Sequence, residues 1–155
     1  MLKYYSSAVV FQEIPDEITL AIEITGCPHR CQDCHSPWLR EDIGEPLTPS
    51  VLLDLVKQHP DISCVCFMGG DASHSYICYL ADVLRLNAPH LKIAMYSGDD
   101  KVNKVFFRVL DYYKVGSYQP EKGPINQEST NQRLYIINRE NETVTDITDK
   151  FWHKL

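Results

Sequence analysis

The chain has 155 residues, 44% of them hydrophobic and 23% charged, which is an ordinary globular composition and predicts a single domain over residues 1–155. A closed eight-fold α/β barrel needs about 250 residues, so any barrel that this chain forms must be incomplete. The formal net charge of −6, from 15 Lys and Arg against 21 Asp and Glu, provides no basic surface to attract nucleic acid.

The beginning of the chain shows no sign of export. Residues 1–15 lack the basic region, apolar stretch and cleavage site of a secretory signal, and no apolar run approaches the roughly 18 residues of a membrane span. We therefore expect a cytoplasmic protein with no membrane partner. In such a chain, six cysteines are better explained as reduced thiols, metal ligands or buried small hydrophobic residues than as a disulfide framework.

Strands and helices alternate through the middle of the sequence. Residues 18–25 are apolar and β-branched and end at Gly26, which predicts a strand that leads into a loop. Thr48 is a predicted N-cap, and a second helix is predicted to begin near Ser73. The other predicted elements are strands at residues 62–68, 91–96 and 112–115 and helices at residues 49–59, 73–88 and 102–110. This alternation favours βαβ units and a mainly parallel sheet.

The last part of the chain is different in character. Residues 116–131 contain two prolines, two glycines and many polar residues, so they predict a long irregular loop, which is more often functional than structural. Residues 133–138 and 143–147 are separated by a polar stretch and predict a terminal antiparallel hairpin.

The strongest chemical signal is a group of three cysteines directly after the first predicted strand. Cys27, Cys31 and Cys34 are spaced by three and then two residues, so their thiolates can converge on one metal centre. A zinc site usually takes a second ligand pair from further along the chain, and no second CxxC motif follows. An iron–sulfur cluster held by three thiolates leaves one iron open for chemistry. The alternatives are loop thiols without a metal and a zinc site.

Two other strand ends carry candidate binding groups. Gly69, Gly70 and Asp71 end the strand predicted at residues 62–68, where the glycines let the backbone approach a ligand and the acid can bind an ammonium group. The alternative is an ordinary turn between a strand and a helix. Ser97 ends the next predicted strand, where its hydroxyl could contact a bound ligand or simply cap a helix.

The remaining cysteines and histidines show no ligand spacing. Cys64, Cys66 and Cys78 fall in a predicted buried strand and in a helix, so we interpret them as core thiols. The histidines are interpreted as solvent-facing or local hydrogen-bonding groups, and they include His29, His35, His74, His90 and His153.

The cysteine loop resembles that of the radical S-adenosylmethionine (SAM) superfamily, in which a CxxxCxxC loop follows the first strand of an α/β barrel. The resemblance implies an α/β fold with an incomplete (β/α) barrel of mainly parallel strands and a C-terminal antiparallel hairpin. It implies that Cys27, Cys31 and Cys34 hold a 4Fe-4S cluster whose open iron binds SAM. One electron would then cleave SAM to a 5′-deoxyadenosyl radical, which abstracts a hydrogen atom from a substrate.

The same resemblance implies the residues that contact SAM. Gly69, Gly70 and Asp71 are similar to the family's Gly-Gly-acid motif, which cradles the methionyl end of SAM. Asp33 stands where the family often has an aromatic residue, so backbone contacts replace stacking at this position. The implied SAM-binding residues are Asp33, Cys34, His35, Gly69, Gly70, Asp71 and Ser97.

Two further segments resemble the anaerobic ribonucleotide reductase activating proteins. The first is residues 34–38, which begin at the last loop cysteine. The second is the C-terminal pattern of residues 115–118, 122–125 and 129–133, which includes the run Thr130, Asn131, Gln132 and Arg133 before the terminal hairpin. The resemblance implies an anaerobic activase that forms a glycyl radical on a ribonucleoside-triphosphate reductase, with a flavodoxin- or ferredoxin-type electron donor. The alternatives are a short radical SAM enzyme acting on a small molecule, such as a deazapurine synthase, and a simple electron-transfer iron–sulfur protein.

Overall fold

Eight strands form one sheet in the computed structural model, which describes residues 1–29 and 37–152. The strands are β1 (Lys3–Val10), β2 (Thr19–Ile24), β3 (Glu45–Pro46), β4 (Cys64–Met68), β5 (Lys92–Tyr96), β6 (Tyr112–Val115), β7 (Arg133–Asn138) and β8 (Thr143–Asp146). Their order across the sheet is β3-β1-β2-β4-β5-β6-β7-β8, so β3 and β8 lie at its two edges.

Two α-helices, α1 (Pro49–Lys57) and α2 (His74–Asn87), begin where the sequence predicts them. Thr48 caps the first helix by accepting a hydrogen bond from the Val51 N–H at 3.1 Å, and Ser73 caps the second in the same way. Short 3-10 helices lie at Pro37–Arg40, Lys104–Arg108 and Thr148–Phe151. Within the described residues, none of the helices is both long and apolar enough to cross a membrane.

The prediction of an incomplete (β/α) barrel of mainly parallel strands is wrong. Only the three pairings between β2, β4, β5 and β6 are parallel, and the other four pairings of this mixed sheet are antiparallel. Residues 3–10 form an antiparallel strand although their side chains do not alternate between buried and exposed. A helix is also predicted at residues 102–110, but the structure has only a short 3-10 helix there, at Lys104–Arg108. The predicted terminal hairpin is present as β7 and β8.

The sheet has a large and a small apolar core on its two faces. Alternate residues of each central strand point to opposite faces, so Val65 and Phe67 pack under the helices while Cys64 and Cys66 point to the other side. The larger core includes Leu20, Ile22, Ile93, Met95, Leu52, Ile77, Leu80 and Leu84. The smaller core is closed by Ile14, from the β1–β2 connection, and by Phe151 near the C-terminus.

The three parallel pairings bring the carboxyl ends of β2, β4, β5 and β6 to the same edge of the sheet. We call the residues that follow these strand ends the rim. Backbone hydrogen bonds tie the rim together, from Gly69 N to Tyr96 O at 3.0 Å and from Gly116 N to Asp99 O at 2.7 Å. The edge of an α/β sheet where parallel strands end is the usual place for a ligand.

The buried carboxylate of Asp111 lies at the ends of β5 and β6 that face away from the rim, and it joins β5, α2 and the residue after β7. Asp111 accepts hydrogen bonds from the Ile93 N–H at 2.9 Å, from Arg85 Nη2 at 2.6 Å and from Arg139 Nε at 3.2 Å. The side chains of Asp111 and Arg85 are 11% and 18% exposed, whereas that of Arg139 is 40% exposed. Asp111 and Arg85 therefore depend on each other much more than either depends on Arg139.

We predict that Asp111→Ala lowers the free energy of unfolding by about 3 kcal/mol. The change leaves the Ile93 N–H without its acceptor and the largely buried Arg85 guanidinium without its carboxylate, with only the carbonyls of Leu91 and Val109 still accepting from Arg85 among the described residues. Arg139→Ala should cost less than about 1 kcal/mol, since an exposed ion pair contributes little. Urea denaturation of the two variants and the wild type measures both values. Equal losses in the two variants would contradict this explanation.

Candidate functional site

The cysteine loop begins at the end of β2, where Gly26 adopts a positive φ of 74° and turns the chain away from the sheet. The loop is closed at its base by backbone hydrogen bonds from Gly26 N to Glu41 O at 3.1 Å and from Cys27 N to Leu39 O at 2.8 Å. Cys27 is half-buried in this position. The predicted site residues Cys31, Asp33, Cys34 and His35 lie outside the described residues.

The cysteines outside the loop do not suit metal ligation. Burial, followed by the charge of Glu17, raises the pKa of the Cys64 thiol to about 12, and burial raises the pKa of Cys66 well above its ordinary value. Burial also raises the pKa of Cys78 on α2. Burial at these three positions disfavours the thiolate form that an iron–sulfur cluster needs. The donor chemistry of the chain therefore fits a cluster at the half-buried loop of Cys27.

Both glycines of the Gly-Gly-Asp turn adopt a backbone conformation that favours glycine. Gly69 has a φ of 115° and Gly70 a φ of 112°, where side chains are rarely tolerated. A Cβ at Gly70 would lie 2.6 Å from Ile77 Cγ1, inside the larger core. The turn and the packing of α2 are thus sufficient reasons for glycine at position 70, and the approach of a ligand to this backbone remains a prediction.

Asp71 is held by four hydrogen bonds from three different segments. Its Oδ1 accepts from Ser97 Oγ at 2.7 Å and from His74 Nε2 at 3.0 Å. Its Oδ2 accepts from Gly98 N at 2.8 Å and from His29 Nε2 at 2.8 Å. The side chain is only 4% exposed. The structure thus joins the Gly-Gly-Asp turn to the Ser97 turn and to the cysteine loop, since His29 follows Cys27 by two residues.

A second carboxylate, Asp99, lies against the same two histidines. His29 Nε2 is 3.2 Å from Asp99 Oδ1, and His74 Nε2 is 3.3 Å from Asp99 Oδ2. The four side chains of His29, Asp71, His74 and Asp99 form a compact group that we call the His–Asp cluster. One ligand atom each from His29, Asp71 and Asp99 lies within 4.8 Å of the others, so these three groups can converge on a cation or a cationic group.

Ser97 is buried beside the His–Asp cluster and hydrogen-bonds to both of its aspartates. Ser97 is only 1% exposed. Its hydroxyl donates to Asp71 Oδ1, and the same oxygen accepts from the backbone N–H of Asp99 at 3.0 Å. The hydroxyl therefore holds the carboxylate of Asp71 and the backbone of Asp99. A direct contact between Ser97 and a ligand remains a prediction.

The charges of the two carboxylates affect each other. Burial by itself raises the pKa of Asp71, but the four hydrogen bonds, led by that from Ser97, outweigh it and hold the pKa below its ordinary value. Burial, followed by the charge of Asp71, raises the pKa of Asp99, although the two histidines lower it in part. Asp71 therefore ionises more readily than Asp99, because burial and the negative charge of Asp71 both disfavour the ionised form of Asp99.

Asn103 determines which nitrogen of His74 carries the proton. The Asn103 Oδ1 accepts from the Val105 N–H at 3.1 Å, so its amide nitrogen faces His74 Nδ1 at 2.9 Å. The amide can only donate there, so Nδ1 accepts and the ring proton lies on Nε2. The Nε2–H of His74 is therefore directed toward Asp71 and Asp99. Its ring also packs edge-on against Phe106, with centroids 5.0 Å apart.

Sequence analysis missed Asp99 and Asn103 and did not connect His29 or His74 with the site. His74 lies three residues after Asp71 at the start of α2, a spacing that brings two side chains together on a helix. Asp99 follows the strand next to β4, and this position at a shared sheet edge could have indicated it. The contact of Asn103 has no sequence signal, because it depends on how the 3-10 turn packs against α2.

The Thr-Asn-Gln-Arg run fastens the long loop that precedes it. Asn131 Nδ2 donates to Ser117 O at 2.9 Å, and Gln132 Nε2 donates to Gly116 O at 3.2 Å. Thr130 is buried, and its hydroxyl oxygen accepts from the Gln132 N–H. These contacts close the base of the loop beside the rim.

Comparison with known proteins identifies the family. A family model described as "4Fe-4S single cluster domain" matches residues 18–135, which is most of the chain and includes the cysteine loop and the rim. The chain belongs to this family. Neither curated proteins nor solved structures gave a match. The match includes Cys27 and the strand ends that carry the His–Asp cluster, and His29 joins this cluster to the cysteine loop.

We predict that the stability contributed by Asp71 is lost in acid. Because its pKa is lower in the folded protein than in the unfolded chain, this contribution is present above the unfolded value of about 3.9 and disappears as the pH falls below it. Asp71→Asn should therefore be less stable than the wild type at pH 7, with the difference narrowing as the pH falls below about 4. Urea denaturation across this range measures it, and a difference independent of pH would contradict the prediction.

Proposed function

We propose that this protein is an activase that uses its 4Fe-4S cluster and SAM to form a glycyl radical on an anaerobic ribonucleoside-triphosphate reductase. The observation that carries the proposal is the 2.8 Å contact between His29 Nε2 and Asp71 Oδ2. It joins the CxxxCxxC loop to the Gly-Gly-Asp turn, the two motifs that resemble the radical SAM superfamily. The proposal therefore rests on two separate sequence signals that meet at one edge of the sheet.

In this proposal Cys27, Cys31 and Cys34 hold the cluster. Three thiolate ligands leave one iron open, and the bound cluster supplies the electron that cleaves SAM to a 5′-deoxyadenosyl radical. The potential needed is at the low end of the cysteinyl cluster range, so a flavodoxin- or ferredoxin-type donor is required. Such chemistry requires anaerobic conditions.

The chain's own residues would bind and orient SAM at the rim. The amino and carboxylate groups of SAM would bind the open iron, the backbone of Gly69 and Gly70 would lie along the methionyl end, and the His–Asp cluster would lie beside the amino group. Backbone groups of Asp33, Cys34 and His35 would contact the nucleoside, with Ser97 nearby. The two-carboxylate composition of the His–Asp cluster supports this assignment, because the N–H groups of an iron-bound amine can donate to ionised carboxylates.

A protein substrate is supported by the loop beside the rim. Within residues 117–129, residues 121, 122 and 126–129 are exposed, and Asn131 and Gln132 fasten the base of this loop to Ser117 and Gly116. A loop with a fixed base and an exposed surface suits contact with another protein. The reductase would present its glycine-bearing loop at this side of the rim.

We predict that the anaerobically reconstituted protein holds about four irons and four sulfides per chain. Cys27→Ala, Cys31→Ala and Cys34→Ala should each lose the visible absorption of the cluster, because each removes a ligand. Cys64→Ala, Cys66→Ala and Cys78→Ala are the matched controls, and folded protein of these variants should retain the absorption. A Cys31 variant that kept the cluster while a Cys78 variant lost it would show that the ligands are assigned wrongly.

We predict that the reduced protein with SAM produces a glycyl radical on added anaerobic ribonucleotide reductase, seen as a doublet by electron paramagnetic resonance. 5′-Deoxyadenosine should form in parallel. A reductase whose radical-bearing glycine is replaced by alanine should give no doublet, although the activase still binds SAM. Rapid SAM cleavage without a radical on the reductase, together with consumption of a deazapurine precursor, would replace the proposed function by small-molecule chemistry.

A further inference from the structure

The two sides of the sheet differ in how their strand edges are protected. On one side, β8 is four residues long, is exposed at every position and carries Asp146, with Glu142 directly before it. Short length and charged side chains are common means of keeping an edge strand from pairing with another chain. On the other side, residues 5–10 of β1 contain no charged residue, proline or glycine, so this strand lacks such protection.

The short strand β3 covers only the beginning of β1. It pairs with Lys3 and Tyr4, and the pairing of β1 with β2 shifts register directly afterwards, between Tyr4 and Ser6. From Ser6 to Val10 the pairing with β2 is regular. Within the described residues, no strand pairs with the outer edge of residues 5–10. The backbone of this segment is therefore open to a further strand.

Large apolar side chains lie at the two ends of this open edge. Tyr5 is 55% exposed and Phe11 is 68% exposed. Phe11 also lines a groove of about 370 Å³ together with Ile18, Pro60 and Ile62. Exposed apolar groups beside an unpaired strand edge are typical of a surface that another protein covers.

The sequence around β1 is complementary to itself. When two identical edge strands pair antiparallel in one continuous sheet, their two-fold axis places one residue opposite its own copy. If that residue is Ala8, Tyr5 lies opposite Phe11 of the second copy. Lys3 and Glu13 are equally far from Ala8 along the chain, so opposite charges approach each other at both ends. Aromatic pairs and opposite-charge pairs across strands both favour pairing.

We infer that β1 pairs antiparallel with β1 of a second copy of the chain, with Ala8 at the two-fold axis. The protein is then a dimer in which two eight-stranded sheets form one continuous sheet. The terminal hairpin of β7 and β8 lies on the far side of each sheet from this interface. Each copy keeps its own cysteine loop and rim, so the dimer does not depend on the proposed function.

The test is sedimentation equilibrium on the full-length, cluster-loaded protein under anaerobic conditions. At about 100 μM the wild type should have twice the mass of one chain, because this concentration saturates a site of micromolar affinity. Ala8→Glu and Ala8→Lys should each weaken dimerisation by about 10-fold, because each variant places like charges opposite each other at the axis. An equimolar mixture of the two variants should regain the wild-type dissociation constant, since opposite charges then meet there.

Val144→Glu is the matched control, because it adds the same charge at an exposed position of the protected edge strand β8. This variant should form dimers like the wild type. Ala8 is also exposed, so both of its variants should keep the far-UV circular dichroism and the cluster absorption of the wild type.

Four results would overturn the inference. The first is a wild type that remains monomeric at this concentration, and the second is undiminished dimerisation of Ala8→Glu. The third is an equal loss in Val144→Glu, which would indicate another interface or a general effect of charge. The fourth is a mixture of the two Ala8 variants that stays monomeric although both have the circular dichroism of the wild type, which would exclude Ala8 from the axis.

Discussion

The hydrogen-bonded carboxylate of Asp71 is the interaction on which the geometry of the rim depends. A largely buried carboxylate is costly unless its oxygens are satisfied, so its position determines where its donors must lie. These donors come from the turn after β5, from the first turn of α2 and from the loop that carries Cys27. One side chain thus fixes the relative positions of three segments that are far apart in sequence.

The parallel centre of the sheet makes this meeting possible, and the antiparallel edges do not disturb it. Only strands that run in the same direction place their carboxyl ends together, and β2, β4, β5 and β6 do so. The N-terminal strands and the terminal hairpin extend the sheet on both sides. A closed or mainly parallel barrel is therefore unnecessary for bringing the cysteine loop beside the Gly-Gly-Asp turn.

The parts of the fold that were predictable from sequence are those with local causes. Thr48 and Ser73 cap helices through contacts within one turn, and the continuous apolar run of β4 reflects burial on both faces. β1 was missed because its side chains follow no period of two, and the direction of strand pairing depends on distant segments. Asp71 was predictable from its motif, whereas Asn103 acts only through a contact that the packing of α2 creates.

The two carboxylates of the His–Asp cluster differ in their hydrogen bonding and in their exposure. A carboxylate that accepts four hydrogen bonds is rigid, but it has no acceptor sites left for a ligand. An open carboxylate can bind a ligand, but it needs other groups to hold it in place. Asp71 is the buried carboxylate and Asp99 is the more exposed one. His29 and His74 each contact both carboxylates, so the position of Asp71 also restricts the position of Asp99. Because His29 belongs to the cysteine loop, this order extends to the segment that begins the cluster-binding motif.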